Sequence, residues 1–173
     1  MKNTIRLHGL DAESIVDGKG YRTAIFAQGC PHNCPGCHNP ASHDMNGGVV
    51  WTLDDVEKTF TDNPLLDGIT LTGGEPFAQA AECAQLARRA HAKGLSVWTY
   101  SGYTLEQLNA MAERDADISA LLSETDVLID GLFILKERSL DLLFRGSRNQ
   151  RVIDMRKTRS DGAIALWEAG EWV

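Results

Sequence analysis

The sequence predicts one α/β domain built around a parallel sheet, and three observations lead there. Short apolar and β-branched stretches alternate with helical stretches along the chain, the pattern of βαβ units. The 173 residues, 43% hydrophobic and 24% charged, suit one domain with a real core. No repeat, low-complexity run or linker divides them, so 1–173 reads as a single domain.

Each element has its own signal. "TAIFA", Thr23 to Ala27, is the first clear strand. Thr52 to Phe60 is helical, with Thr52 as N-cap and Asp55 three residues on. "GITLTGGEP" gives a strand from Ile69 to Thr72 and then a glycine turn. Gln79 to Lys93 is rich in Ala and other good helix formers, and Gly94 ends it. "LSVWTYSG" contains a strand from Ser96 to Tyr100. Thr104 and Gln107 form a capping-box pair that opens the next helix. "DVLIDG" is a short buried strand, Val127 to Ile129, "QRVIDMR" is another, and "AIALWEAGEWV" adds a terminal strand or hairpin.

These assignments gather the unusual residues on one edge of the sheet. A cysteine loop follows the first strand, and Gly73, Gly74, Glu75 and Pro76 follow the second. Ser101 and Gly102 follow the third, Asp130 and Gly131 the fourth. Parallel α/β folds place their ligands at the carboxyl ends of the strands.

Composition narrows the chemistry. A net charge of −7 argues against a nucleic-acid partner, which calls for a basic patch. No apolar run approaches a membrane span, and "MKNTIRLHGLDAESIVDG" lacks the apolar core of a signal peptide. The expected compartment is the cytoplasm, where structural disulfides are rare. Clustered cysteines then read as metal ligands or catalytic thiols.

Three of the four cysteines, Cys30, Cys34 and Cys37, lie in "QGCPHNCPGCHNP". One reading is structural zinc, with His32, His38 or His43 as fourth ligand, although zinc usually draws on two separated knuckles. The other is a 4Fe–4S cluster, usually held by four thiolates. Three would leave one iron open for a small molecule that brings its own nitrogen and oxygen donors. Cys83, in "AAECAQLA", sits mid-helix and reads as a small buried hydrophobe.

Cys30-x3-Cys34-x2-Cys37 resembles the cluster loop of the radical S-adenosylmethionine (SAM) enzymes, and "GGEP" after the next strand resembles their second motif. "DGKGYRTAIFAQGC" and "CHNP" are similar to the glycyl-radical-enzyme activases of that superfamily. "CPGC" and "FRGSRNQRVIDMRKT" look most like the activating proteins of anaerobic ribonucleoside-triphosphate reductase. The resemblance runs over nearly the whole chain.

The resemblance implies a radical SAM core domain with two cofactors, a 4Fe–4S cluster and SAM. Cys30, Cys34 and Cys37 would hold the cluster. Reductive cleavage of SAM would give a 5′-deoxyadenosyl radical that removes hydrogen from a glycine of the partner, so no catalytic residue is expected beyond the cofactors. Gly73 and Gly74 would let backbone approach the methionine end, and Glu75 would orient the SAM ammonium directly or through its neighbours. Gly36, Cys37 and His38 would lie beside the adenine and the chelated end. Gly36 replaces the aromatic residue that many superfamily members carry there, which leaves adenine packing to His38. Asp130 would sit near the ribose or amino group, or simply make a turn with Gly131. The implied partners are anaerobic ribonucleoside-triphosphate reductase and a low-potential electron donor such as reduced flavodoxin. A closed (β/α)8 barrel takes about 250 residues, so a partial, open TIM-like barrel of about five or six βα units with parallel strands is expected. The alternatives are an activase of the pyruvate formate-lyase type and a non-catalytic zinc-binding module.

Smaller expectations complete the reading. Asp17 and Arg22 are candidates for a local ion pair. Arg145, Arg148 and Arg151 are candidates for a partner surface or for organising the C-terminal turn. His8 and His91 read as incidental surface residues, and Trp51, Trp98, Trp167 and Trp172 as packing.

Overall fold

The computed structural model describes residues 3–170. The chain opens on a strand the sequence reading missed, β1 (Thr4–Ser14), whose sequence mixes polar and apolar residues without a clean run. β1 runs antiparallel to β2 (Arg22–Ala27), and β3 (Val49–Thr52) runs antiparallel to β1. β4 (Gly68–Gly73), β5 (Ser96–Tyr100) and β6 (Val127–Asp130) then add in parallel beyond β2. β7 (Arg151–Asp154) closes the row antiparallel to β6. The result is one seven-stranded sheet in the order β3-β1-β2-β4-β5-β6-β7.

The sheet is open, as the chain length predicts. Its parallel order holds for the four strands β2, β4, β5 and β6 and breaks at both edges. Antiparallel neighbours need no crossover helix, so they let a short chain widen its sheet.

The helices follow their caps. In α1 (Leu53–Thr61), Thr52 accepts the Asp55 amide at 3.1 Å as expected. α2 (Ala80–His91) ends three residues before Gly94, which takes φ +76° in the following turn. The Thr104–Gln107 capping box forms in both directions and opens α3 (Leu105–Ala112). Such a cap is worth about 1 kcal/mol. α4 (Ala116–Glu124) is a separate helix capped by Asp115, and α5 (Met155–Asp161) follows β7 directly. The expected terminal strand shrinks to a single bridge between Ile153 and Leu166. Trp172 lies outside the described residues.

The two faces of the sheet differ. One carries the main core, where Leu7, Ile25, Ile69, Leu71, Val97 and Leu128 meet Phe60, Leu86, Leu108 and Leu121 from the helices. The other carries a smaller cluster of Trp98, Val127 and Ile129, packed against Tyr100, Phe144 and Trp167. On that second face the chain crosses as loops, which leaves room near the carboxyl ends of the parallel strands.

Candidate functional site

The cysteine loop starts where β2 ends. Gly29 (φ +96°), Asn33 (φ +48°) and Gly36 (φ +74°) turn the backbone through the left-handed region, where glycine is at ease. The Cys37 amide bonds the Cys34 carbonyl at 3.1 Å, closing a tight turn between the last two thiols. The loop is tied down on both flanks. Gly29 N donates to Ser42 O, Cys30 N to His43 O, and Glu75 N to Gly29 O. Gln28, 2% exposed, donates its amide to the carbonyls of Ala41 and Asp44 at 3.1 and 2.7 Å.

All three loop thiols are free and half-buried, and they line one cavity of about 140 Å³. Gly73, Gly74, Ser101, Gly102 and Gly131 bring the ends of β4, β5 and β6 to the same cavity. A trough of about 560 Å³ adjoins it, sharing His38, Thr72, Tyr100, Phe133 and Gln150 and running out to Leu140 and Phe144. Cys83 is far from this chemistry in character: it is fully buried mid-helix, and burial pushes its thiol well up.

Burial also pushes the Cys30 and Cys34 thiols up, against backbone amides that favour the thiolate. The negative charge of Glu75 works in the same direction as burial on both. A bound cation would take up the charge that burial and Glu75 disfavour on these thiolates. Among the described residues, no three His, Cys, Asp or Glu side chains converge on a site for a single ion. Three thiols from one loop on one cavity wall are a donor set of the kind that holds an iron–sulfur cluster. One further feature fits a bound group: the Nε2 of His43, also on the cavity wall, is buried without a partner among the described residues.

The other site residues named from the sequence divide. His38 lines both cavity and trough, its ring 5.1 Å from Phe133. Gly73 and Gly74 line the cavity, but their missing side chains make way for backbone. A Cβ on Gly73 would meet Phe26 backbone at 2.7 Å, and one on Gly74 the Gly29 carbonyl at 2.5 Å. Gly36 turns instead toward Leu135, which a Cβ there would meet at 2.9 Å.

Glu75 is fully buried, and its carboxylate is already engaged. It accepts from His32 Nε2 at 2.7 Å, Gly102 N at 2.9 Å, Phe77 N at 3.1 Å and Ser101 Oγ at 3.0 and 3.1 Å. It thus latches the cysteine loop, through His32, to the end of β5. Asp130, 1% exposed, accepts the Leu105 amide at 2.7 Å and the Arg151 guanidinium. Arg151 also reaches Glu106, holding its carboxyl down to about 2. Asp130 therefore anchors the start of α3 and lies off the cavity wall.

Two smaller expectations, the Asp17–Arg22 pair and an incidental His91, are corrected, and one alternative for the arginines is met. Arg22 makes no pair with Asp17. It is buried beneath Trp98 and donates to Thr70, Ser96 and the carbonyls of Lys19, Ile69 and Ser96. His91 is not incidental, because it bridges Glu124 and Asp126 at 3.0 Å each. Arg145 donates to Gln150 O, so it and Arg151 organise the chain's own turn. Thr72, Tyr100, Phe133 and Gln150 were missed as lining residues. Only the strand-end positions of Thr72 and Tyr100 could have signalled them, since Phe133 and Gln150 arrive on loops.

Comparison with known proteins agrees with this geometry. The family described as "4Fe-4S single cluster domain" matches residues 16–153. The anaerobic ribonucleoside-triphosphate reductase-activating protein of Salmonella typhimurium is 34% identical over 162 residues, covering 88% of this chain and 100% of that protein. The protein of that name from Escherichia coli (strain K12) is 33% identical over 150 residues, 82% of this chain and 94% of its own. The one from Enterobacteria phage T4 is 30% identical over 146 residues, 80% and 86% respectively.

Proposed function

The chain belongs to the 4Fe-4S single cluster domain family, alongside the anaerobic ribonucleoside-triphosphate reductase-activating proteins, and from that premise we propose that it installs the glycyl radical of such a reductase. The observation that carries this is the set of three free thiols from one loop on one cavity wall, where the ends of three parallel strands meet. The reading takes 1–173 as one radical SAM core domain working in the cytoplasm.

Cys30, Cys34 and Cys37 would hold the 4Fe–4S cluster. When bound, the cluster and SAM together supply reductive cleavage of the sulfonium and a carbon radical that takes hydrogen from a glycine of the reductase. The protein's part is position and exclusion. Gly73 and Gly74 keep the strand ends thin, so the cysteine loop packs directly on β4. Glu75 acts as a positioning residue through His32, Ser101 and Gly102. Its role in orienting the SAM ammonium then passes to the exposed main chain around Gly73 and Gly74. His38 and Phe133 offer a pair of rings for the adenine, and the trough beyond them offers the path for a glycine segment. Gly36 serves this site by allowing the turn between Cys34 and Cys37, and Asp130 by holding α3. A low-potential donor such as reduced flavodoxin would supply the electron.

The test is anaerobic incubation of the reconstituted protein with SAM, a reductant and the reductase, read by electron paramagnetic resonance. A glycyl radical on the reductase is expected. A radical that appears only on a pyruvate formate-lyase under the same conditions overturns the assignment of target.

A further inference from the structure

Three histidines line the thiol cavity, and they differ in what occupies them. His32 gives its Nε2 to Glu75 at 2.7 Å, and His38 packs its ring on Phe133. His43 is the exception. Its Nε2 is buried and meets no partner among the described residues. A polar nitrogen left so costs about 1–3 kcal/mol, so native structures rarely leave one without a reason.

The backbone around His43 is firmly held. Gln28 clamps the carbonyls of Ala41 and Asp44, two residues before and one after. Ser42 O accepts from Gly29 N at 2.7 Å, and His43 itself bonds at both ends of its peptide unit, N to Pro40 O and O from Cys30 N. The segment that carries the ring is thus stapled to the segment that carries the first thiol. His43 lines the same cavity as the three thiols, so a group bound among them is the partner that this site offers Nε2.

We propose that His43 donates its Nε2–H to a sulfur of the cluster and thereby raises the cluster's reduction potential. The inference rests on the cofactor reading above. Hydrogen bonds to cluster sulfurs are one of the levers that set such potentials. The sign follows from charge: the reduced cluster is more negative, so a donor stabilises it more than the oxidised form. His43 makes the first electron easier to accept, and it does so from a side chain that is no cluster ligand.

The experiment is a spectroelectrochemical titration of the full-length reconstituted protein without SAM or reductase. Iron and sulfide content are measured alongside. His43→Ala should load as much iron and sulfide as the parent. Its ratio of reduced to oxidised cluster at a fixed potential should fall about tenfold, which for one electron is a 59 mV lower midpoint. His43→Gln retains an N–H donor and should recover most of the difference. In pulsed electron paramagnetic resonance of the reduced cluster, an exchangeable proton coupling should be present in the parent and absent in His43→Ala. A loaded His43→Ala cluster with an unchanged midpoint overturns the proposal alone. Loss of iron in His43→Ala also overturns it, by making His43 a ligand. A parent protein that assembles no iron and sulfide overturns the cofactor reading and this inference with it.

Discussion

The two ends of the parallel strands are finished in opposite ways. At the amino end two buried charged groups are fully engaged. Arg22, where β2 starts, divides its guanidinium among three carbonyls and two hydroxyls. Asp126, just before β6, accepts from Val97 N, His91 and Arg156. At the carboxyl end three thiols, unlinked to one another, line a cavity, and His43 Nε2 has no partner among the described residues. A buried polar group is costly unless bonded. The fold therefore completes its bonds where it only has to stand and leaves them open where something has to bind. Glu75 and Asp130 also lie at the carboxyl end, but their carboxylates are bonded within the chain.

The strongest way to break that comparison is at the thiols. Cys30→Ser, Cys34→Ser and Cys37→Ser should each lose most bound iron, while Cys83→Ser keeps it and instead pays for a hydroxyl in the core. Iron and sulfide analysis after anaerobic reconstitution reads this directly. A Cys34→Ser protein that loads a full cluster and cleaves SAM contradicts the site.

At the opposite end the largest effect is on stability. Arg22→Met keeps much of the volume beneath Trp98 but strips a donor from the carbonyls of Ile69 and Ser96, both in buried bonds, and from that of Lys19. Leaving such acceptors unmet should cost about 3 kcal/mol or more, or roughly 10 °C in Tm for a chain of this size. Denaturant unfolding of the reconstituted protein measures it. Iron loading per folded molecule should stay at the parent level, and a selective loss of iron would erase the distinction between the two ends.

How far this division was legible in the sequence follows from the same physics. The thiol spacing, the two glycines and the strand-end placement were readable, because ligand type and chain period are local properties. The capping pairs Thr52–Asp55 and Thr104–Gln107 were readable for the same reason. Whether a carboxylate is free or engaged was not. Glu75 is occupied by Ser101 and Gly102, 26 and 27 residues away, and Asp130 by Arg151, 21 residues away. Sequence offers no sign of that. The first strand was missed because β1 has bulges in its register with β2, so its alternation is broken.

A finer cut through the carboxyl end uses Glu75→Gln. The change preserves shape but turns one acceptor oxygen into a donor facing amide N–H groups and the His32 ring. One mispaired buried group costs about 1–3 kcal/mol. The His32 tie to the cysteine loop should loosen with it, so iron should be retained less well on dilution while the thiols themselves are intact. Gly74→Val should behave similarly, and not as a pure SAM-site lesion. Its Cβ would meet the Gly29 carbonyl at the root of the loop. Equal cluster retention in Glu75→Gln and the parent would return Glu75 to the ligand-facing side.

The smallest expected effect sharpens the amino end, and it depends on pH. The hydrogen bond to Asp126 is the main cause holding His91 above its ordinary 6.5, with Glu124 helping and burial opposing. Burial alone would raise Asp126, but the bonds from His91, Arg156 and Val97 N outweigh it and leave its carboxyl below the usual 3.8. The two shifts act on different limbs of the stability curve. A raised histidine contributes fully below its unfolded value and loses that contribution as pH rises through the folded one. A depressed carboxylate contributes above its unfolded value and loses it as pH falls through the folded one. Tm should therefore decline modestly as pH climbs from about 6.5 through the raised value of His91, and separately in acid below the range of Asp126. His91→Ala should flatten the first decline and leave the second, since Arg156 still faces Asp126 at 2.8 Å. His91 is partly exposed, so the amplitude should be under about 1 kcal/mol. Differential scanning calorimetry from about pH 2 to about pH 9 reads both limbs, with iron content as the control. A His91→Ala protein that keeps the upper decline would show that another group titrates there, and a change in its iron content would show that the two ends are coupled.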